Sequence, residues 1–145
     1  MRKLLSFAAL VLMALVAIPS LAVSSEADVK AAYAAWDEAF SKGDAKAVAA
    51  FYTEDAVLLP PTHDILKGPA GVETFFAGLF AAGVTGHKLE LVDLSGDDKT
   101  IVGAAKWSAQ GKDANGAPAA FGGIATHAFV RQPDGSLKLR LHTFN

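Results

Sequence analysis

A stretch of 21 residues near the middle of the chain, 51–71 (FYTEDAVLLPPTHDILKGPAG), constrains the fold more than any other. Its first two residues, Phe51 and Tyr52, are predicted to end a helix. Residues 53–55 favour a turn, because short polar side chains bond nearby backbone groups. The apolar run 56–59 predicts a strand, which ends at two prolines because proline cannot donate to a β-ladder. The glycine–proline pair at 68–69 then predicts a new helix, since proline fits a first helical turn.

Residues 1–22 have the pattern of a cleaved secretory signal peptide. Two basic residues begin the chain, 4–18 is apolar, and small residues precede a cleavage site after Ala22. The apolar run is shorter than the roughly 20 residues that a membrane-spanning helix needs. We therefore predict an exported chain, periplasmic or secreted, with no stable membrane anchor after cleavage and a single domain at 23–145.

The composition of this predicted domain excludes several classes of function. The leader holds two of the 13 basic residues and none of the 15 acidic ones, so 11 basic against 15 acidic residues leave a formal charge of −4. No basic patch is present, so nucleic acid is not expected as a partner. The chain has no cysteine, which excludes disulfides, thiolate catalysis and cysteine-bound zinc. The hydrophobic core must therefore stabilise the domain alone.

Two helices are predicted before the central stretch and one after it. Ser25 is a candidate N-cap for the first helix, and Asp44 is the candidate N-cap for the second. One face of the first helix is apolar, whereas Asp37 belongs to its polar side. The third helix also has one apolar face. The apolar positions of the first and third helices are Val29, Ala32, Tyr33, Trp36 and Phe40, and Val72, Phe75, Phe76, Leu79 and Phe80.

The remainder of the chain alternates like β-strands separated by turns. Strands are predicted at 87–94, 100–111, 121–131 and 137–144. Asn115-Gly116 suits a hairpin turn, because both residues tolerate positive φ. Consecutive strands joined by tight turns form an antiparallel meander that packs on helices. The sequence therefore predicts one α+β domain.

The order and spacing of several short motifs resemble the nuclear transport factor 2-like superfamily and, within it, the SnoaL-like proteins. The motifs are Trp36-x3-Phe40-x2-Gly43-Asp44, Phe51-Tyr52-Thr53-x-Asp55-Ala56, Gly68-Pro69-x-Gly71-x3-Phe75-Phe76, and Asp134-Gly135 before the last strand. The resemblance covers nearly all of the predicted domain. It implies a cone-shaped fold, in which a strongly curved, mostly antiparallel sheet wraps the N-terminal helices around an apolar pocket. It also implies a homodimer formed through the outer face of the sheet.

Known members of this superfamily include steroid isomerase, polyketide cyclases and scytalone dehydratase. Steroid isomerase chemistry needs a carboxylate base and acidic donors for a developing oxyanion. The position that resembles the isomerase tyrosine is Trp36, which can donate a hydrogen bond but cannot act as an acid. The position that resembles its catalytic aspartate is Pro60. The steroid isomerase mechanism is therefore not expected, and a shared fold does not fix the function.

Histidines and carboxylates provide the candidate catalytic groups. His63 beside Asp64, near the predicted mouth of the cone, is a candidate general base with a carboxylate partner, although the same residues also suit an ordinary solvated loop. His127 is the other candidate base; it lies on a strand whose two faces are equally apolar, so its direction stays open. His142 alternates with Lys138 and Arg140, which predicts that it points outward. The histidine spacing does not indicate a metal site, and no cofactor is implied.

The candidate ligand-binding residues are mostly aromatic or apolar: Trp36, Phe40, Tyr52, Asp55, Leu58, Phe76, Trp107 and Phe121. Trp107 belongs to the apolar alternation of its strand and is expected to face inward, and Asp55 is also a candidate for bonding backbone in a turn. Three functions follow as hypotheses. The first is binding of a small apolar molecule; the second is a cofactor-independent cyclase, isomerase or dehydratase with a histidine base; the third is a protein-interaction module.

Overall fold

A computed structural model describes residues 21–145, with side chains from Ser25 onward. In this part of the chain the elements are α1 (Leu21–Ser41), α2 (Ala45–Ala49), β1 (Tyr52–Leu59), β2 (Leu66–Lys67), α3 (Gly68–Ala81), β3 (Thr85–Gly96), β4 (Thr100–Lys112), β5 (Pro118–Arg131) and β6 (Leu137–Phe144). The predicted signal peptide lies almost wholly outside the described residues and stays a prediction. None of the described helices is long and apolar enough to span a membrane.

The six strands form one sheet in the order β2-β1-β6-β5-β4-β3. All neighbouring pairs are antiparallel except β1 and β6, which run parallel. Register shifts interrupt the β1–β6, β3–β4 and β5–β6 pairs, and such bulges bend a sheet and increase its twist. The inner face of the bent sheet receives α1, which contacts β3 and β6. The predicted α+β cone is confirmed.

The apolar stripe of α1 provides the centre of the core. Val29, Tyr33, Trp36 and Phe40 are all at most 4% exposed, because their spacing puts them on one side of the helix. Complete burial of one large apolar side chain contributes about 1.5–3 kcal/mol. The Asp44 side chain caps α2 by accepting a hydrogen bond from the backbone N–H of Ala47 at 2.9 Å, as predicted.

The predicted helix end and turn at 52–55 are wrong, because these residues form the first half of β1. Tyr52 pairs with Leu139 of β6, and the carbonyl of Phe51 accepts a hydrogen bond from the backbone N–H of Leu139 at 2.8 Å. Pairing with a distant strand therefore outweighs the local preference for a turn. Ser25 also differs from its prediction, since it lies inside α1 rather than at its N-cap.

The prediction that His142 points outward is also wrong, since its side chain is only 5% exposed and faces the interior. Along the β5–β6 pair, Phe129 faces Leu139 whereas Ala128 faces Leu141, so Arg140 is an additional residue in β6. One additional residue moves every later side chain of a strand to the opposite face. The bulge at Arg140 thus turns His142 inward.

Candidate functional site

A cavity of about 290 Å³ lies between α1, α3 and the inner face of the sheet. Its walls are largely aromatic and aliphatic, and the polar side chains among them are Thr62, His87 and His142, with the two indoles. The lining residues are Trp36, Phe40, Pro61, Thr62, Phe75, Phe76, Leu79, Val84, His87, Leu89, Trp107, Ala109, Phe121, Ala125, His142 and Phe144. Such a cavity, apolar with a few convergent polar groups, is typical of a small-molecule site.

One histidine of the cavity wall is paired with a carboxylate. The Nδ1 atom of His87 lies 2.7 Å from Oδ1 of Asp37, and the other carboxylate oxygen accepts a hydrogen bond from the backbone N–H of Leu89 at 2.9 Å. The side chains of His87 and Asp37 are 11% and 19% exposed. An ionised carboxylate only accepts hydrogen bonds, so Nδ1 of His87 carries the proton. Nε2 is then the nitrogen left for a molecule in the cavity.

Aromatic rings hold the His87 imidazole in place. Its ring centroid lies 4.7 Å from that of Trp36 and 4.8 Å from that of Phe40. The Trp107 ring is nearly parallel to it, at 5° and 6.2 Å. Because packing fixes the ring and Asp37 fixes its tautomer, the imidazole is oriented before any ligand binds.

A second histidine of the wall, His142, is paired with a phenol. Its Nδ1 atom lies 2.7 Å from the hydroxyl oxygen of Tyr52, which is 1% exposed. Burial lowers the pKa of His142 well below its ordinary value, and the neighbouring His127 and His87 lower it further. Burial raises the pKa of the Tyr52 hydroxyl. Both groups therefore stay neutral near pH 7.

His127 lies behind His142, where the sequence left its direction open. It is 1% exposed, and its Nδ1 atom lies 2.8 Å from the hydroxyl oxygen of Tyr33. The His127 and His142 rings have centroids 4.4 Å apart. Burial, followed by the charge that His87 can carry, lowers the pKa of His127 to about 3. This histidine is not among the cavity-lining residues, so it supports the site from behind.

The indole N–H of Trp36 is the one buried side-chain polar group without a hydrogen-bond partner among the described residues. It is close enough to the Tyr52 hydroxyl to lower the pKa of that hydroxyl, which partly opposes the effect of burial. The contact does not reach hydrogen-bond geometry. Trp36 therefore adds an unsatisfied donor to the group around His142.

The predicted ligand-binding residues divide into three sets. Trp36, Phe40, Phe76, Trp107 and Phe121 line the cavity, and Trp107 faces inward as predicted. Tyr52 and Leu58 are fully buried behind it. Asp55 is on the exposed edge of β1, where it accepts a hydrogen bond from Thr53 at 2.8 Å and pairs with Nε of Arg140 at 2.9 Å.

The predicted His63–Asp64 pair lies on an exposed loop, and neither residue lines the cavity. Asp64 accepts a hydrogen bond from the Thr62 hydroxyl at 2.8 Å, and His63 has a φ of 65°. This arrangement matches the ordinary loop that the sequence left as an alternative. His63 and His127, the two predicted bases, are not brought together.

The sequence reasoning missed the Asp37–His87 pair, whose members are 50 residues apart. Two signals were present. Asp37 follows Tyr33 by four residues and so lies beside the apolar stripe of α1. His87 alternates with Leu89 and Leu91, which share its face of β3. Neither signal shows that this flank of α1 meets this strand.

Comparison with known proteins places the fold and the family. A family model described as SnoaL-like domain matches residues 31–138. Steroid Delta-isomerase of Nocardioides simplex is 37% identical over 71 residues, which cover 48% of this chain and 58% of that protein. The match thus spans little more than half the length of this curated relative.

Two solved structures illustrate the shared fold. A ketosteroid isomerase-like protein from Erwinia carotovora atroseptica superposes with a TM-score of 0.71 at 20% identity, covering 81% of this chain and 92% of the other. An NTF2-like protein with a cystatin-like fold from Novosphingobium aromaticivorans gives a TM-score of 0.70 at 16% identity, covering 85% and 82%. With the family match over 31–138, these comparisons show that the chain belongs to the SnoaL-like domain family of the nuclear transport factor 2-like superfamily.

Proposed function

We propose that this chain binds a small, largely apolar molecule in the cone cavity and catalyses a cofactor-independent proton transfer on it, as in an isomerisation. The observation that carries the proposal is the 2.7 Å contact between His87 and Asp37 in the wall of an apolar cavity. Apolar binding alone does not require an oriented imidazole. A carboxylate-held histidine is the arrangement that a general base needs.

The reaction follows from the tautomer of His87. Its Nε2 lone pair takes a proton from a carbon next to an electron-withdrawing group, which leaves an imidazolium and a delocalised carbanion. The Asp37 carboxylate stabilises the imidazolium through the Nδ1–H hydrogen bond. His87 then returns a proton to a different carbon of the same molecule, so the double bond moves and no redox partner is consumed.

The size of the cavity limits the substrate. Its volume of about 290 Å³ is at the lower end of the range for ligand pockets, about 300–1,000 Å³. One or two fused rings fit this volume best. The similarity to a steroid Delta-isomerase supports isomerase-type chemistry. The presence of Trp36 and Pro60 in place of that mechanism's expected acidic groups argues for a different arrangement of base and donor, built on His87.

Solvent deuterium exchange tests the proposal without knowledge of the natural substrate. The purified domain is incubated in D₂O with small cyclic ketones and enones of one or two rings, and incorporation of deuterium is followed by mass spectrometry. We expect enzyme-dependent exchange that falls about 10²–10⁴-fold in His87→Gln, which is the usual contribution of a general base.

His63→Gln is the matched control, since it removes a second histidine of the same chain from the exposed loop outside the cavity. It should leave exchange unchanged. Exchange that disappears in His63→Gln but survives in His87→Gln would restore the loop histidine as the base. Binding of the probes without any exchange would leave small-molecule binding as the function and contradict the catalytic part.

We also propose that two copies pair through the outer face of the sheet and that the chain is exported. Val102 and Ile124 are 37% and 61% exposed on adjacent strands β4 and β5, and apolar side chains in such a place favour a partner. Native mass spectrometry of the exported fraction tests both points. A complex with a different protein would favour the interaction-module hypothesis instead.

A further inference from the structure

We propose that His142 donates a hydrogen bond from its Nε2–H group to a carbonyl oxygen of the molecule in the cavity, which makes a ketone or enone the substrate class. This inference deepens the proposed function and rests on it for the location of the ligand. It assigns His142 the opposite task to His87. One imidazole accepts a proton from carbon, and the other holds the oxygen on which negative charge develops.

The first step of the argument is the direction of the hydrogen bond between Tyr52 and His142. The two atoms are 2.7 Å apart, and either group can be the donor. The Trp36 indole, which is only a donor, is the other polar group near the Tyr52 hydroxyl. If His142 were the donor, the buried phenol proton of Tyr52 would have no acceptor among the described residues, at the cost of an unsatisfied buried donor. Tyr52 therefore donates to Nδ1 of His142.

The second step is the tautomer that results. A neutral imidazole has one N–H group, and Nδ1 of His142 is occupied as an acceptor. Its proton is therefore on Nε2. Burial keeps the ring neutral by lowering its pKa, so this N–H is a fixed donor rather than one that appears only in acid.

The third step is the position of that donor. His142 lines the cavity, and its Nε2 atom has no hydrogen-bond partner among residues 25–145. Phe144 and Trp36 pack around the ring, with centroids 5.2 and 6.3 Å from it. A donor that faces the cavity without a protein partner favours a ligand that supplies an acceptor.

The two cavity histidines consequently differ through their partners alone. Asp37 accepts from His87 and leaves a lone pair on Nε2, whereas Tyr52 donates to His142 and leaves a proton on Nε2. Trp36 packs near both rings, with centroid distances of 4.7 Å to His87 and 6.3 Å to His142. A carbonyl compound whose oxygen meets His142 and whose neighbouring carbon meets His87 uses both groups at once.

A pair of probes with one skeleton tests the inference. 1-Tetralone and tetralin differ by a single carbonyl, and the affinity of each is measured by quenching of tryptophan fluorescence, since Trp36 and Trp107 line the cavity. We expect the ratio of the two affinities to fall about tenfold in His142→Phe, which is the value of one hydrogen bond. His63→Gln, on the exposed loop outside the cavity, should keep the ratio of the wild-type protein.

A spectroscopic measurement covers the case in which His142→Phe does not fold. The carbonyl ¹³C resonance of labelled 1-tetralone should move downfield when the ketone binds to the wild-type protein, and Tyr52→Phe should reduce that shift because the tautomer is no longer fixed. An unchanged affinity ratio in His142→Phe, or no downfield shift in the wild-type protein, would overturn the inference.

The outcomes also separate this inference from the proposed catalysis. A ketone preference that depends on His142, without deuterium exchange in any variant, supports the inference and contradicts the proton transfer. Exchange that depends on His87, together with a ketone preference that is unchanged in His142→Phe, supports the proton transfer and contradicts the inference. Failure of both probes to bind the wild-type protein overturns the inference together with the proposed cavity function.

Discussion

One helix orients two histidines in different ways, and the difference separates the proposed base from a structural histidine. Tyr33 and Asp37 lie four residues apart on α1, so they are stacked on the same side of the helix. Tyr33 meets His127 of β5 at 2.8 Å, and Asp37 meets His87 of β3 at 2.7 Å. The geometry is nearly the same in both pairs, but one partner is a phenol and the other a carboxylate.

The partner and the burial decide what each histidine can do. A carboxylate stabilises the imidazolium that forms when a base takes a proton, whereas a neutral phenol does not. His127 is 1% exposed and has a pKa lowered to about 3, so it does not take a proton near pH 7. His87 lines the cavity beside a carboxylate. The comparison teaches that two positions one helical turn apart can give one histidine a carboxylate partner, as the proposed base requires, and another histidine only a phenol.

The strongest way to break this comparison is to remove the charge of Asp37 without changing its shape. In Asp37→Asn the amide can donate to Nδ1 of His87, which places the proton on Nε2 and blocks the base. We expect the deuterium exchange rate to fall about 10²–10⁴-fold. Affinity for 1-tetralone should stay close to that of the wild-type protein, because His142 still donates. An exchange rate equal to that of the wild-type protein would contradict the role of the pair.

These two pairs also show what the sequence can predict. The fold follows from local patterns, because the stripe of α1, the Asp44 cap and the turns between strands each act over a few residues. The two hydrogen-bonded pairs, Tyr33–His127 and Asp37–His87, do not follow from local patterns, because α1 and the strands meet through the curvature of the sheet. His142 is the clearest case, since one extra residue at Arg140 reverses an alternation that otherwise predicts an exposed side chain. Tyr52 is similar, because its strand exists only through pairing with β6.

Acid should sharpen the comparison, because the buried His127, held by the Tyr33 phenol, makes the folded protein less stable at low pH. The unfolded chain takes up a proton on His127 below about pH 6.5, whereas the folded chain does so only near pH 3. Its contribution to stability is therefore complete above pH 6.5 and is lost as the pH falls toward 3. Between pH 7 and pH 5 one such histidine lowers the free energy of unfolding by about 2 kcal/mol. His142 acts in the same direction.

Urea unfolding at pH 7 and pH 5 checks this prediction. The titratable groups that contact His127 are Tyr33 from α1 and His142 from β6, and His87 of β3 also lowers its pKa electrostatically. Several exposed carboxylates have lowered pKa values, so they contribute only nearer pH 4 and below. His127→Gln should show a smaller difference between the two pH values. Equal stability of the wild-type protein at both would mean that His127 and His142 gain protons without cost in the folded state.

Removal of the phenol should weaken the structure while leaving the base intact. Tyr33→Phe leaves Nδ1 of the buried His127 without its partner, which costs about 1–3 kcal/mol. We expect a lower midpoint in urea and a deuterium exchange rate within about twofold of wild type at a temperature where both are folded. Asp55→Asn is the control, because its pair with Arg140 is largely exposed and should not change the midpoint measurably. A large loss of exchange in Tyr33→Phe would show that the two pairs act together.

The smallest effect concerns Gly103, which gives the Tyr33 hydroxyl its space. A Cβ atom at this position would lie 2.9 Å from the hydroxyl oxygen, whereas its next neighbours, in Leu91 and Phe129, are at ordinary contact distances of 3.6 and 3.8 Å. Gly103→Ala must therefore displace the hydroxyl by a few tenths of an ångström and strain its hydrogen bond to His127, at a cost of about 1 kcal/mol. The close contact is with the oxygen alone, so Tyr33→Phe removes it. In that background the same alanine should cost nothing or stabilise the protein slightly, because it reduces the freedom of the unfolded chain. A double-mutant cycle measured in urea detects this coupling, and additive effects would show that the glycine serves the curvature of β4 rather than the phenol.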